Sequence, residues 1–346
     1  MANWLAGREA CKRAAKIEGA DSDVLLDRLI ADASKRFEAD TNRLFIPRVL
    51  TRYYDYDRPH KLWLDADLLT VTSLYKKSQD TTPVEIVAAD YYLEPVNDGP
   101  PYELIEIDLA SNTTFEPGDN TSQRSIKIIG SWGYSADTAA AGALAEADDG
   151  SETALEVTDA SLIDVGDTIL IGTEQMFVTA KGTLDTATNT AVTLTADKAI
   201  TSVTVGDGTK VKAGEIILIN SERFLVESVA GNVLATVRAY DGSTLAAHAD
   251  AQDVYAYRTL TVTRANNGTT AAAHDTAAAI VKYTPPADVV EQIVDEVIAA
   301  WAQQQSAWGR VIGVGEGGGS IAFSGRQLGE RRRQLVTSYM RPRLLP

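Results

Sequence analysis

An apolar, aromatic-rich sequence runs to Trp132-Gly133-Tyr134, breaks off, and resumes its character only at Pro285-Pro286-Ala287-Asp288-Val289-Val290. The stretch between is poor in aromatics and rich in Thr, Ala, Val and Asp. This order reads as a β module set into a host: residues 1–137 plus 285–346 form the host domain, and residues 138–284 the inserted β domain. With 346 residues, 45% of them apolar, the chain has room for two domains with cores of their own.

Composition narrows the function classes. The longest apolar runs are too short to span a bilayer, and Arg8, Lys12, Arg13 and Lys16 surround Trp4 and Leu5 without an apolar run behind them, so neither a membrane span nor a secretion signal is expected. Cys11 is the only cysteine, which rules out an intrachain disulfide and a cysteine-based zinc cluster and fits assembly in a reducing cytoplasm. The net charge of −16 is concentrated in the middle: residues 51–137 carry seven basic and fifteen acidic side chains, and residues 138–284 carry nine and nineteen. Residues 320–346 reverse the sign, with six arginines and one acid, Glu330. An acidic body repels a phosphate backbone and argues against a sequence-reading nucleic-acid domain.

Periodicity places the host elements. Asp21-Ser22-Asp23 offers a helix cap, and Val24, Leu25, Leu26, Leu29, Ile30, Ala33 and Phe37 recur at three- and four-residue steps up to about Asp40. Short strands are predicted over Val49 to Tyr56, Leu62 to Leu64, Leu69 to Tyr75, Tyr91 to Pro95, Leu104 to Ile107 and Ser125 to Ile129, with turns such as Asn97-Asp98-Gly99-Pro100-Pro101 between them. After the interruption, Val290, Ile293, Val294, Val297, Ile298 and Trp301 give one helical face expected to stop at Trp308-Gly309. A glycine-rich loop then leads to a last helix over Leu328 to Met340, ended by Pro342.

The insertion contains a repeat. Arg238-Ala239-Tyr240-Asp241-Gly242-Ser243-Thr244-Leu245-Ala246-Ala247-His248 matches Arg264-Ala265-Asn266-Asn267-Gly268-Thr269-Thr270-Ala271-Ala272-Ala273-His274, and Gly166 to Glu174 matches Gly214 to Glu222. In chain order the matches run front, front, back, back. Nesting is the simplest account: one unit runs from Thr153 to Ala180 and is completed by Leu260 to Tyr283, and a second, Val192 to Tyr257, sits in its loop. Pairing of Phe177-Val178 with Thr261-Val262 would support nesting, and consecutive independent barrels would overturn it.

The host motifs carry a family resemblance. Leu25-Leu26-x-x-Leu29-Ile30-x-x-Ala33, Phe45-Ile46-Pro47-Arg48, Tyr53-Tyr54-Asp55, Leu62-Trp63-Leu64, Leu68-Leu69-x-Val71-Thr72-Ser73-Leu74, Asp90-Tyr91-Tyr92-Leu93-x-Pro95 and Ile126-x-Ile128-x-Gly130-x-Trp132-Gly133-Tyr134 occur in an order that resembles the head-to-tail connector (adaptor, or head-completion) proteins of tailed double-stranded DNA bacteriophages. The resemblance covers residues 15–136 and 285–346 and leaves the insertion unassigned. It implies an α+β fold: a helical adaptor core with short β strands, interrupted here by an all-β insertion of two related units. It also implies a structural virion protein of the neck, a ring of about twelve copies below the portal. Such a ring contacts the portal on one side and a stopper or tail-terminator protein on the other. Double-stranded DNA passes through it without sequence-specific binding during genome ejection.

The terminal arginines suit docking on an acidic portal surface, which gives Arg326, Arg331, Arg332, Arg333, Tyr339, Arg341 and Arg343 as portal-docking residues. Gly313-x-Gly315-x-x-Gly318 follows a helix rather than a strand, so it reads as a flexible connector and not a dinucleotide fingerprint. His248 and His274 occupy equivalent repeat positions but lack a ligand cluster, which favours a structural hydrogen bond over a metal site. His60 reads as a turn residue. With no Ser or Cys placed beside a histidine, no enzyme activity, cofactor or metal is expected. Two competing readings remain, a receptor- or glycan-binding virion protein built on the β repeats and a lysin or glycosidase using acid pairs.

Overall fold

The structure, a computed structural model, describes residues 3–305 and 325–341. The described residues contain four α-helices: α1 (Arg8–Ala15), α2 (Asp23–Thr41), α3 (Ala287–Gln305) and α4 (Gly325–Tyr339). None is long and apolar enough to cross a membrane. Strands dominate, in two antiparallel sheets of six and ten. This corrects the fold expected from the family resemblance, because the chain is mostly β and has no helical core decorated with short strands. By compactness it divides into one unit of Met1–Lys35, Thr138–Asn266 and Thr270–Arg332 and another of Arg36–Asp137, Asn267–Thr269 and Arg333–Pro346. These units group α1 and α3 with the insertion, whereas the sequence reading grouped them with the early strands.

The second of these units is built on β1 (Arg48–Tyr54), β2 (Lys61–Lys76), β3 (Val84–Ile86), β4 (Tyr91–Glu94), β5 (Tyr102–Ile107) and β6 (Ile126–Trp132), ordered β1-β6-β2-β5-β4 with β3 on β2. The two short strands expected at Leu62 and Leu69 are one long strand. A register shift between Trp63 and Leu68 lets Asp65-Ala66-Asp67 pass without leaving the sheet. Alternation does the rest: Ile126, Ile128 and Trp132 of β6 point into a core with Leu62, Leu64, Leu74, Ile105, Ile107 and Phe115, while Lys127, Ile129 and Ser131 point away. Trp132 anchors that core, its indole N–H donating to the Leu50 carbonyl at 3.1 Å.

The insertion supplies β7 (Thr138–Ala143), β8 (Ala154–Glu156), β9 (Thr168–Ile171), β10 (Glu174–Asn189), β11 (Ser202–Thr204), β12 (Ile216–Ile219), β13 (Glu222–Ala230), β14 (Val233–Val237), β15 (Asp253–Thr263) and β16 (Ala279–Tyr283). The pairing that supports nesting is present. Phe177 lies opposite Thr263, Val178 opposite Val262 and Ala180 opposite Thr261. Further along the same ribbon Leu184 faces Ala256 and Asp185 faces Tyr255. Strands β10 and β15 are long because each serves both units in turn. The outer unit uses β7, β8, β9, the first part of β10, the last part of β15 and β16; the inner unit uses the remainder. Equivalent pairings recur, Leu155 with Leu260 against Val203 with Leu234, and Ile280 with Ile171 against Val254 with Ile219.

Each unit has its own core, one around Ile163, Ile169, Met176 and Leu260 and the other around Ile217, Phe224, Leu234 and Val254. The inner unit begins and ends on neighbouring antiparallel strands, since Asn189 faces Asp253. A guest with adjacent ends can extend a hairpin without opening the ladder beneath it. The hairpin turns are equivalent too: Gly172 and Asn220 both have positive φ, the left-handed turn geometry that glycine and asparagine tolerate best.

The N-terminal segment, for which the sequence reading gave no element, packs on the outer β unit. Arg8 N–H donates to the Val165 carbonyl at 3.0 Å, and Trp4 meets Phe177 edge to face at 5.5 Å. Gly166 makes this approach possible, because a Cβ there would stand 2.0 Å from the Trp4 ring. Helix α2 buries Leu26, Ile30, Ala33 and Phe37 of the expected stripe, whereas Leu25 and Leu29 are half-buried and Val24, at the first turn, is 84% exposed. Helix α3 buries Val289, Ile293, Val297 and Ala302. Its expected stop at Trp308-Gly309 and the glycine-rich loop lie outside the described residues.

Candidate functional site

The repeat histidines and their matched arginines converge on two buried glutamates. In the inner unit, Glu222 begins β13 immediately after the turn at Asn220, and its carboxylate accepts from Arg238 Nε at 3.0 Å and Nη2 at 2.8 Å, from the Ala239 and Ala246 amides at 3.0 Å each, and from His248 Nε2 at 2.8 Å. In the outer unit, Glu174 has the same five partners: Arg264 Nε and Nη2 at 3.1 and 2.7 Å, the Ala265 and Ala272 amides at 3.0 Å each, and His274 Nε2 at 3.1 Å. The side chains of Glu222, Arg238 and His248 are all 0% exposed. A carboxylate so enclosed is tolerable only when its lone pairs are filled and a guanidinium offsets its charge.

Protonation follows from the geometry. Burial alone would raise the Glu222 carboxyl, but Arg238, His248 and the two amides outweigh it and hold it below the usual carboxylate range. Glu222 is therefore ionised, so His248 Nε2 carries a proton and donates to it. Its Nδ1 lies 3.1 Å from the Asn220 side-chain amide, which orients the ring. The copies differ at two points. Gly172 stands where Asn220 does, and Asp148, an extra carboxylate on Arg264, occupies the bridge position across from His274 that Leu194 occupies across from His248. Each network ties a long loop back to its hairpin, which is a structural use of the two histidines. Among the described residues no group of three or more His, Cys, Asp or Glu side chains could hold a metal ion.

Acid should dismantle the outer network. Burial pushes the Glu174 carboxyl up, but the Arg264 hydrogen bond, the Ala272 and Ala265 amides and His274 bring it down to about 2. Its folded pKa thus lies below its unfolded value, so its contribution is complete above about pH 4.5 and is lost as pH falls through the folded value. A drop in stability of about 3 kcal/mol is expected across that window in the wild type, and Glu174→Gln should flatten it. Urea midpoints measured every half pH unit check this, and equal slopes in both proteins would refute it.

The proposed docking arginines fall into three groups. Arg331 donates to Glu291 at 2.7 Å and Asp295 at 2.8 Å, and Arg332 to Glu296 at 2.6 Å, so both already meet the acidic side of α3. Burial raises the Asp295 carboxyl and Arg331 opposes the rise. Arg333 is exposed. Arg341 is buried, paired with Asp67 and donating to the Leu64 carbonyl at 2.9 Å; Arg43 reaches the other Asp67 oxygen at 2.8 Å. Tyr339 packs between Phe45 and Tyr134 at 5.6 and 5.3 Å, and its carbonyl accepts from Arg43 at 2.6 Å. Arg326 lies in the first turn of α4, its side chain outside the described residues, as is all of Arg343.

A second charged cluster escaped the sequence reading. Glu9 and Arg13 of α1 line a small cleft with Asp164, Lys181, Tyr240 and Tyr257. Burial pushes the Glu9 carboxyl up and the Lys181 amine down, the latter against the opposing pull of Asp164, Glu9 and Asp167. Lys181 donates to the Ala160 carbonyl at 2.9 Å, and Lys12 is buried between Asp23 and Asp241. These contacts hold α1 on the β units. Cys11, buried beside them, has its thiol pushed up to about 12 by desolvation, which leaves it unreactive at neutral pH. No short-range sequence signal marks this cluster, whose members lie up to 248 residues apart, from Glu9 to Tyr257. No protein-family model, curated protein or solved structure matches this chain.

Proposed function

We propose that the chain is a structural component of a phage neck, a head-to-tail adaptor that forms a ring of about twelve copies beneath the portal, contacts a stopper or tail-terminator protein on its other side and lets DNA pass. The ordered host motifs Phe45-Ile46-Pro47-Arg48 through Trp132-Gly133-Tyr134 are the sequence basis of this reading. One structural observation supports it most: α4 carries a run of arginines whose members differ in availability. Arg341 and Tyr339 anchor the end of the helix, Arg331 and Arg332 remain partly exposed while bridging carboxylates, and Arg333 is open to a partner. Guanidinium groups in this setting suit a carboxylate-rich protein surface, which they grip bidentately.

The fold of the insertion supports a building role as well. Its best-equipped ionisable groups, Glu174, Arg264 and His274 and their inner counterparts, are turned inward to hold loops. Arg333→Glu is the cleanest test, since Arg333 is exposed where Arg331 and Arg332 bind α3. Attachment to purified portal should fall at least tenfold, an effect of about 1.4 kcal/mol or more, with the circular dichroism unchanged. Undiminished attachment would remove the docking role. Negative-stain images of chain bound to portal should show a central opening; particles without one that bind a surface glycan would favour receptor binding by the β units.

A further inference from the structure

The six-stranded sheet turns one face to its core and leaves the other open. On the open face cross-strand rows hold Trp63, Leu104 and Glu94, then Lys61, Glu106 and Tyr92. Trp63 and Tyr92 stand at diagonal corners and are each 55% exposed. Two strand spacings across and two residues along put them about 12 Å apart. Leu104 and Glu106 lie between them on β5, Glu94 and Lys61 hold the other two corners, and Lys61 pairs with Glu106 at 3.3 Å; the segment around them carries fifteen acidic and seven basic side chains. Exposed ring faces in a negative field favour cations over anions or neutral groups.

The chain carries a matching surface. Helix α2 exposes Val24, at 84%, together with Arg28 and Lys35. Among the described residues neither Arg28 nor Lys35 has an ion pair or hydrogen bond, and residues seven apart share a helix face about 10 Å from each other. That spacing is close to the separation of the two aromatic corners. We propose that a second copy of this chain docks here, with the Arg28 and Lys35 ridge of one copy seated on the Trp63 and Tyr92 face of the next. The contact joins two different patches, the heterologous kind that closes into a ring, and in that sense it rests on the adaptor reading.

Cysteine pairing in trans tests it with the full chain. One preparation carries Arg28→Cys, the other Trp63→Cys, so only contact between copies links them; native Cys11 is buried and does not compete. Mild oxidation of the mixture should give a cross-linked dimer, whereas Arg28→Cys mixed with Val233→Cys should not. In sedimentation, Trp63→Ala and Arg28→Glu should each weaken self-association at least tenfold, with added salt having the same effect. A cross-link yield equal to the control pair, self-association unmoved by both substitutions, or a chain that stays monomeric would each overturn the proposal. Rings that still form on portal with both substitutions in place would overturn it while leaving the adaptor reading intact. Binding of a soluble glucan that Trp63→Ala abolishes, with self-association unaffected, would overturn it in favour of a saccharide platform.

Discussion

Arg238→Ala is expected to destabilise the inner β unit by about 3–5 kcal/mol, because it strands the Glu222 carboxylate in a site with no exposure to water. The guanidinium also donates to the Thr195 and Ala246 carbonyls, both at 2.5 Å, and lies 5.3 Å from the centre of the Phe224 ring, so its removal also takes away these contacts. Arg333→Ala, at an exposed position, should cost less than about 1 kcal/mol. Urea unfolding followed by tryptophan-independent probes of the β units, such as amide exchange at Phe224 and Val226, measures the difference. Adding Glu222→Gln to Arg238→Ala should recover part of the loss, since the uncompensated charge is then gone. If Arg238→Ala is as mild as Arg333→Ala, the network is not a stability element.

Asp67→Ala should release the end of α4. Asp67 sits on the bulged turn of β2 and is met by two guanidiniums, Arg341 and Arg43, with side-chain exposures of 3%, 4% and 15%. Without the carboxylate two cations face one another in a buried site, and the expected cost is again about 3–5 kcal/mol. The Arg341 amide, which donates to the Thr41 carbonyl at 2.9 Å, reports on it directly. Its exchange protection should fall by about a hundredfold or more, the equivalent of about 3 kcal/mol, while β6 amides stay protected. Unchanged protection at Arg341 would mean that the aromatic packing of Tyr339 with Phe45 and Tyr134 holds the helix end unaided.

Local signals in the sequence reported what they physically encode. The three- and four-residue stripe from Leu26 to Phe37 marks α2, and the alternation in Ile126 to Trp132 marks β6, because both patterns follow from the geometry of a single element. The repeat carried more: equal Arg-to-His spacings pointed to two units of one design, and the front, front, back, back order pointed to pairing of β10 with β15 over the junction. The helical core implied by family resemblance was not legible in this way. Residues 48–132 hold alternating strands long enough to close a core of their own, and β2 absorbs Asp65-Ala66-Asp67 in a bulge that looks like a turn when read along the chain.

The docking residues show the same division. A run of arginines near the end of the chain is visible as charge, yet nothing in that run tells Arg341, buried on Asp67, from Arg333, open to solvent. The sequence by itself determined the two β units, their nesting and the chemical kinship of Glu174 with Glu222, since those depend on spacings repeated within one chain. Tertiary structure alone decided which charges are buried together, which are free, and that α1 belongs with the β units. Those outcomes depend on desolvation and on partners hundreds of residues away, and neither leaves a trace in local periodicity.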